Sequence, residues 1–318
     1  MKAPITRDQI LAILPHLDLI PLIEQGFAAY SRGEAVIPPV GELLFEDPPG
    51  ELHIKYGYLK SGSHAVIKIA SGFYGNKDIG LPPGDGLMLL FSRNTGCLEN
   101  ILLDQGLLTD VRTAAAGAVA ARHLAPSHIS GIGVFGAGVQ GRLQVEYLAG
   151  ITPCRTVRVW GTSDAELESY RRDMEAKGYD VTSTRDAQSI PEACNLIITA
   201  TPSHTPLLRA DWIRPGTHIT AMGSDTPDKQ ELDSNILARA DIIVADSLPQ
   251  SRARGEIFKA REAGVITDEN VRELGNVIRD PRLRRGDDGQ ITVADLTGVA
   301  VQDIQIASAV LEKIQAAR

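Results

Sequence analysis

The sequence has 318 residues, with 40 acidic and 32 basic side chains and a formal net charge of −8. Hydrophobic residues make up 43% of it, enough to offset chain entropy, so intrinsic disorder is excluded and about two globular domains are expected. The acidic balance speaks against broad binding of nucleic acid or anionic membrane, and no uncharged apolar stretch approaches the roughly 18 residues of a membrane span.

Residues 1 to about 35 read as helical, with Ile10, Leu11, Ile13, Leu14 and then Leu22, Ile23 and Phe27 at helix spacing. Pro38 and Pro39 stop that pattern. Strands and turns follow to about residue 95. Leu52, Ile54, Tyr56 and Tyr58 alternate with His53, Lys55 and Gly57, and Val66–Ala70, Leu87–Ser92 and Ile101–Leu103 are further strands. Residues 109–124 predict an Ala-rich helix opening at a Thr109-Asp110 cap. From Gly131 the pattern becomes βα alternation. Ile132–Phe135, Val157–Trp160, Leu196–Thr199, His218–Ala221 and Ile242–Val244 are apolar runs of buried-strand length, separated by helices such as Gln140–Leu148 and Asp164–Lys177. Val301–Ile314 is an amphipathic helix. The expected fold class is α/β: a Rossmann-type doubly wound parallel sheet over 123–297, and a second, mixed α+β domain built from both chain ends, 1–122 and 298–318.

Gly136-Ala137-Gly138-Val139-Gln140-Gly141 is a full G-x-G-x-x-G between a strand and a helix. Its first glycine permits the tight turn, the second lets backbone approach a pyrophosphate, and the third lets helix and strand pack closely. The helix N-terminus presents free N–H groups to the anion. After Val157–Trp160 the chain reads Gly161-Thr162-Ser163-Asp164, with no arginine at that strand end to pair a 2′-phosphate; NAD(H) is therefore favoured over NADP(H).

A hairpin centred on Ser61-Gly62 sets Lys55 opposite Lys68. Like charges directly opposed are unfavourable, and an anion between them reverses the penalty. Lysines alone usually face solvent, but Arg112 tips the reading toward a pocket. It stands near the start of a small apolar helix, where the dipole favours anions rather than a cation, and a guanidinium there is placed to clamp a carboxylate; an ion pair with Asp110 or another acid is the structural alternative. Asp225 follows a parallel strand at its carboxyl end, where chemistry collects. His123, His128, His204 and His218 read as structural, and Arg279–Arg285 as a solvated loop.

Val66-Ile67-Lys68, Gly80-Leu81-Pro82, Asp110–Ala115, the Gly136–Gly141 turn and Gly223-Ser224-Asp225 with Lys229 together resemble the ornithine cyclodeaminase/mu-crystallin family over nearly the whole chain. The resemblance implies a dimerising substrate domain, a Rossmann domain binding NAD(H) or NADP(H), and hydride transfer at the α-carbon of an amino or imino acid. It implies that Lys68 and Arg112 hold the substrate α-carboxylate, that Asp225 and Lys68 are the catalytic candidates, and that Thr113, Thr162, Ser163, Ala200, Thr201, Met222, Gly223 and Ser224 join the glycine turn beside the cofactor. There are two departures. Pro38-Pro39 is followed by Val40-Gly41, not by a carboxylate-binding arginine, and His53-Ile54-Lys55 stands where cyclodeaminases carry an acid for the substrate's amino end. A cation there, Lys55 with His53, points to an acidic substrate. The expectation is an NAD(H)-dependent imino-acid reductase, best fitted by iminosuccinate going to aspartate. Ornithine cyclodeaminase, a cyclic ketimine reductase and a cofactor-binding crystallin are the alternatives. A homodimer is expected, with no nucleic-acid or membrane partner. Cys97, Cys154 and Cys194 lack metal-ligand spacing, so no metal and no disulfide framework are expected. Together with the lack of an apolar core in Met1–Leu14, this gives a reducing cytoplasm as the expected compartment.

Overall fold

The strand-forming and helix-forming stretches separate along the chain, and the computed structural model, which describes residues 3–316, divides in the same way. Residues 1–113 with 299–318 form one unit, and residues 114–298 the other. The dividing point falls inside the helix Leu107–Leu124, whereas the sequence reading put it at 122. Among the described residues, no single helix is long and apolar enough to cross a membrane.

The first unit contains seven strands: β1 (Ile5–Thr6), β2 (Ala35–Val36), β3 (Gly41–Glu46), β4 (Pro49–Leu59), β5 (His64–Gly72), β6 (Gly84–Ser92) and β7 (Leu98–Leu103). Their order is β1-β7-β6-β5-β4-β2, with β3 also on β4. β3 to β7 are joined antiparallel, and β1 lies parallel to β7. The apolar alternation read in β4 is real, but it faces away from the core. His53, Lys55 and Gly57 are buried, while Leu52, Ile54 and Tyr58 are half-buried and Tyr56 is exposed. In β5 and β6 the same core face carries Val66, Lys68, Met88 and Leu90, all at most 2% exposed. The final helix Ala300–Ala316 packs on β4, β5 and the helix Leu19–Ser31. It does so through Val301, Ile304, Ala307, Val310 and Leu311. The Leu107–Leu124 helix opens two residues before the expected cap. Gln105 and Gly106 turn through positive φ, and the Asp104 carboxylate accepts the Leu108 N–H at 2.8 Å, which makes Asp104 the capping acid.

The second unit holds β8 (Ile132–Phe135), β9 (Thr156–Trp160), β10 (Asp180–Thr184), β11 (Leu196–Thr199), β12 (His218–Ala221), β13 (Ile242–Ala245), β14 (Val271–Glu273) and β15 (Thr292–Asp295). All pair parallel, in the order β10-β9-β8-β11-β12-β15-β13-β14. The chain winds outward from β8 through β9 to β10, then returns to the other side of β8 as β11. That reversal makes the crevice where open parallel sheets bind ligands. β10, β14 and β15 are not marked by apolar runs. β15 is fully buried all the same, because its polar ends are bonded: Thr292 Oγ1 donates to the Leu124 carbonyl at 2.8 Å, and the Asp295 carboxylate accepts the Ile257 N–H at 2.9 Å. Arg285 departs from the expected solvated loop. It donates to the carbonyls of Leu124, Thr217 and Gln290 beneath the sheet. His218 is structural, held between the hydroxyls of Thr292 and Thr220 at 2.8 and 2.9 Å.

Candidate active site

In the first unit, β4 and β5 pair so that Lys55 stands directly opposite Lys68. Both are buried, 5% and 2% exposed, and both are partnered within the fold. Two ammonium groups side by side in a core need anions close by. Asp104 is one for Lys68: the lysine's charge acts on its carboxyl. Burial pushes the Asp104 carboxyl up to about 6, with the charge of Asp303 adding to that rise and the Leu108 N–H and Lys68 opposing it. Asp303 in turn accepts Arg112 Nε at 3.0 Å, and Gln302 Oε1 accepts Arg112 Nη1 at 2.9 Å. The guanidinium is thus fixed on two sides by the first turn of the last helix. Its ion pair is with Asp303, not Asp110, and it leaves Nη2 without a hydrogen bond among the described residues. Lys68, Asp104, Asp303 and Arg112 form one buried electrostatic chain.

His53 shares the Lys55 face of β4 but sits between acids. Its Nδ1 is 3.4 Å from Glu42 Oε1, and its Nε2 is 3.7 Å from Glu51 Oε2. Glu42 lies opposite His53 in register, and Glu51 precedes it by two on the same strand. This differs from the expected purely cationic patch: His53 faces two carboxylates of the protein itself. Residues two apart in a strand share a face, so Glu51 was findable beside His53; Glu42 required knowing the β3–β4 register. Asp104, Gln302 and Asp303 carried no sequence signal until they appeared buried in apolar elements.

In the second unit the glycine turn lies at the sheet's reversal. Gly136 has φ 109°, and a Cβ there would stand 2.6 Å from the Ala200 carbonyl. A Cβ on Gly141 would stand 2.1 Å from the Gly136 carbonyl, so helix and strand touch there through backbone. Gly138 is different: a Cβ there meets nothing within 4 Å. It precedes the helix Val139–Leu148, which has no side-chain cap. An open approach beside uncapped N–H groups fits a dinucleotide pyrophosphate. Arg142 fastens this turn, donating to the carbonyl of Ala137 and to Asp173 at 2.9 Å. At the neighbouring strand ends, Ala200 N donates to Phe135 O at 2.9 Å, and Met222 N to Thr199 O at 3.0 Å. Ser163 caps the helix Asp164–Glu175 by accepting the Glu166 N–H, beside Thr162, and Asp164 pairs with Arg185 at 3.0 Å. Thr113, another expected cofactor residue, donates its hydroxyl to the Thr109 carbonyl at 2.7 Å.

Asp225 lies in the loop after β12, next to Gly223 and Ser224. Its Oδ1 accepts Lys229 Nζ at 2.8 Å, and its carbonyl accepts Arg254 Nη1 at 3.1 Å. Lys229 is 4% exposed. The pair holds the carboxylate in place, so Asp225 is suited to accept an N–H hydrogen bond.

The model of the ornithine cyclodeaminase/mu-crystallin family matches residues 6–318. The chain belongs to this family. An archaeal alanine dehydrogenase, a dimer with bound NAD, is 34% identical, with TM-score 0.88 over 98% of this chain and 96% of that one. The iminosuccinate reductase of Paracoccus denitrificans, in complex with NAD+, is 31% identical, with TM-score 0.86 over 98% and 96%. The Δ1-pyrroline-2-carboxylate reductase of Thermococcus litoralis, in complex with NADH and L-proline, is 25% identical, with TM-score 0.93 over 99% and 98%. Close members of the family are thus NAD-dependent oxidoreductases acting on imino or amino acids.

Proposed function

We propose that this chain is an NAD(H)-dependent reductase of a small 2-imino acid, with iminosuccinate to aspartate as its reaction. The observation that carries this reading is the buried register pair Lys55–Lys68 on the same sheet face as the Arg112 cluster. Lys68 and Arg112 anchor the α-carboxylate, Arg112 through the nitrogen that Asp303 and Gln302 leave unoccupied. Lys55 takes the second carboxylate of a diacid, with His53 beside it. NADH, when bound, supplies the hydride to the C=N carbon. Asp225, held beside Lys229, accepts the hydrogen bond of the protonated imine nitrogen and so keeps the carbon electrophilic. Gly136, Ala137, Gly138, Val139, Gln140 and Gly141 hold the pyrophosphate, and the strand ends at Ala200, Thr201, Met222, Gly223 and Ser224, with Thr113, line the rest of the cofactor. NAD(H) is favoured over NADP(H), because Asp164 already neutralises Arg185, the cation near the end of β9. The working form is a homodimer, in a compartment that keeps its three free cysteines reduced.

A second reading has its own support. Glu42 and Glu51 beside His53 suit the distal ammonium of a diamino acid, as an ornithine cyclodeaminase requires. Steady-state rates with NADH, ammonia and either oxaloacetate or pyruvate separate the possibilities, with ammonia release from ornithine measured alongside. Oxaloacetate is expected to be the better oxo acid. Lys55→Ala should raise its KM by about 10-fold or more while sparing the KM for pyruvate, the loss of one charged contact. A clear preference for pyruvate, or ammonia release from ornithine, overturns the diacid assignment.

A further inference from the structure

The carboxyl ends of β11, β12, β15 and β13 are tied together from below by four carboxylates, Glu231, Asp246, Glu256 and Asp295, none more than 1% exposed. Three of them cap backbone of a neighbouring segment. Glu256 accepts the N–H groups of Glu231 and Leu232 at 2.7 and 3.1 Å, Asp295 that of Ile257 at 2.9 Å, and Asp246 that of Gly298 at 2.7 Å. Glu231 does more. Its Oε2 accepts the Thr199 hydroxyl at 2.7 Å and the Gly223 N–H at 2.9 Å. Its Oε1 accepts both the N–H and the hydroxyl of Thr201, at 2.6 and 2.7 Å. The donors therefore come from the end of β11 and from two different loops, the one that follows β11 and the one that leads, two residues on, to Asp225. The loops close tightly around the carboxylate. A Cβ on Gly223 would stand 2.1 Å from the Thr201 carbonyl and 2.6 Å from Glu231 Cδ.

We propose that Glu231 is a positioning residue for hydride transfer: its carboxylate gathers the Thr201 and Gly223 loops into one rigid floor and so fixes where Asp225 stands relative to the cofactor. The inference rests on the reading that a dinucleotide occupies this mouth. Both oxygens must accept, because the backbone N–H groups of Thr201 and Gly223 can only donate. A glutamine has one accepting oxygen, so Glu231→Gln sets an NH2 against one of those N–H groups and parts the loops with almost no change in volume. Misplacement of reacting groups by about 1 Å costs on the order of 100-fold in rate.

The experiment compares wild-type protein and Glu231→Gln in NADH affinity by nicotinamide fluorescence, in kcat and KM, and in the primary isotope effect with 4-deuterated NADH. The expected result is a folded variant whose NADH affinity falls several-fold, whose kcat falls about 10- to 100-fold, and whose isotope effect rises as hydride transfer becomes the slow step. A variant that keeps all three, or that loses kcat only in proportion to its folded fraction with KM and isotope effect unchanged, overturns the inference and leaves the proposed function standing. Failure of the wild type to bind NADH overturns both. If the wild type binds NADH but reduces none of the acids offered, the substrate reading falls, and the several-fold loss of NADH affinity in the variant decides the inference. Should Glu231→Gln not fold, Thr199→Val removes one donor to the carboxylate within a buried strand. A raised isotope effect in that variant supports the inference, and an unchanged one overturns it.

Discussion

Asp295 ends a strand with no access to water, and burial pushes its carboxyl up to about 8; the neighbouring charges of Asp246 and Glu231 add to the rise, and the Ile257 and Glu256 backbone opposes it. Between about pH 4 and 8 the folded chain keeps this proton and the unfolded chain has lost it, so stability falls as pH rises through that window. His218 acts in the opposite sense. Burial, together with the charge of Arg285, holds its imidazole down to about 3, so its contribution is present above about pH 6.5 and is lost as pH falls toward 3. The two oppose each other up to about pH 6.5, and beyond that only Asp295 of the two still titrates, with the buried Glu256 carboxyl, also raised, acting in the same sense. Denaturant unfolding is therefore expected to show a loss of up to about 2 kcal/mol between pH 6.5 and 8. Asp295→Asn, which mimics the protonated form, should flatten that slope; an equal slope in the variant refutes the assignment. Lys55, Lys68 and Arg112 follow the same physics in another way. Each is a basic side chain held in a core, and Lys68 and Arg112 are set beside Asp104 and Asp303, which the fold brings from elsewhere in the chain.

At the scale of elements, the glycine turn offers two substitutions with separable effects. Gly141→Ala drives a methyl group into the Gly136 carbonyl and toward Val134, so the helix must move off β8. A loss of about 1–3 kcal/mol in unfolding free energy is expected, together with weaker NADH binding. Gly138→Ala meets only open space. It should leave stability unchanged and weaken NADH binding by about 10-fold or more, because the added methyl stands where the pyrophosphate approaches. Intact NADH affinity in Gly138→Ala would remove the turn from the cofactor site. This turn was legible because its three glycines stand between a strand and a helix, each with a separate steric duty. The Lys55–Lys68 pairing was legible because a hairpin centred on Ser61-Gly62 admits one register. β15 was not, because a Thr-Val-Ala-Asp strand is buried only by virtue of bonds to Leu124 and Ile257, far away in sequence. Glu231 and Asp303 were hidden for the same reason. A lone acid in a sequence reads as surface, and only the donors brought to it by folding make it interior. The alternation in β4 did not fix which side faces the core, and its apolar side chains lie on the side away from it.

For the molecule as a whole, that outward side is the feature to explain. Ile54, Ile69 and Leu87 line up across three strands, and so do Tyr56, Ile67 and Leu89, all half-buried except Tyr56, which is 37% exposed. An apolar sheet face of this kind suits the interface of the homodimer proposed above. Light scattering is expected to give a dimer for the wild type and a monomer for Tyr56→Asp, whose charge cannot be buried against a partner sheet. A dimeric Tyr56→Asp would move the interface elsewhere.

The split of the first unit between the two chain ends also sets an order of events at the ribosome. The residues that make the parallel sheet leave the exit tunnel as one uninterrupted run. The Arg112 guanidinium, translated before them, must wait for Ala300–Ala316 to emerge, because that helix carries Gln302 and Asp303, the only groups seen to bond it among the described residues. A nascent chain therefore has its parallel sheet within reach before Gln302 and Asp303 can seat the Arg112 guanidinium.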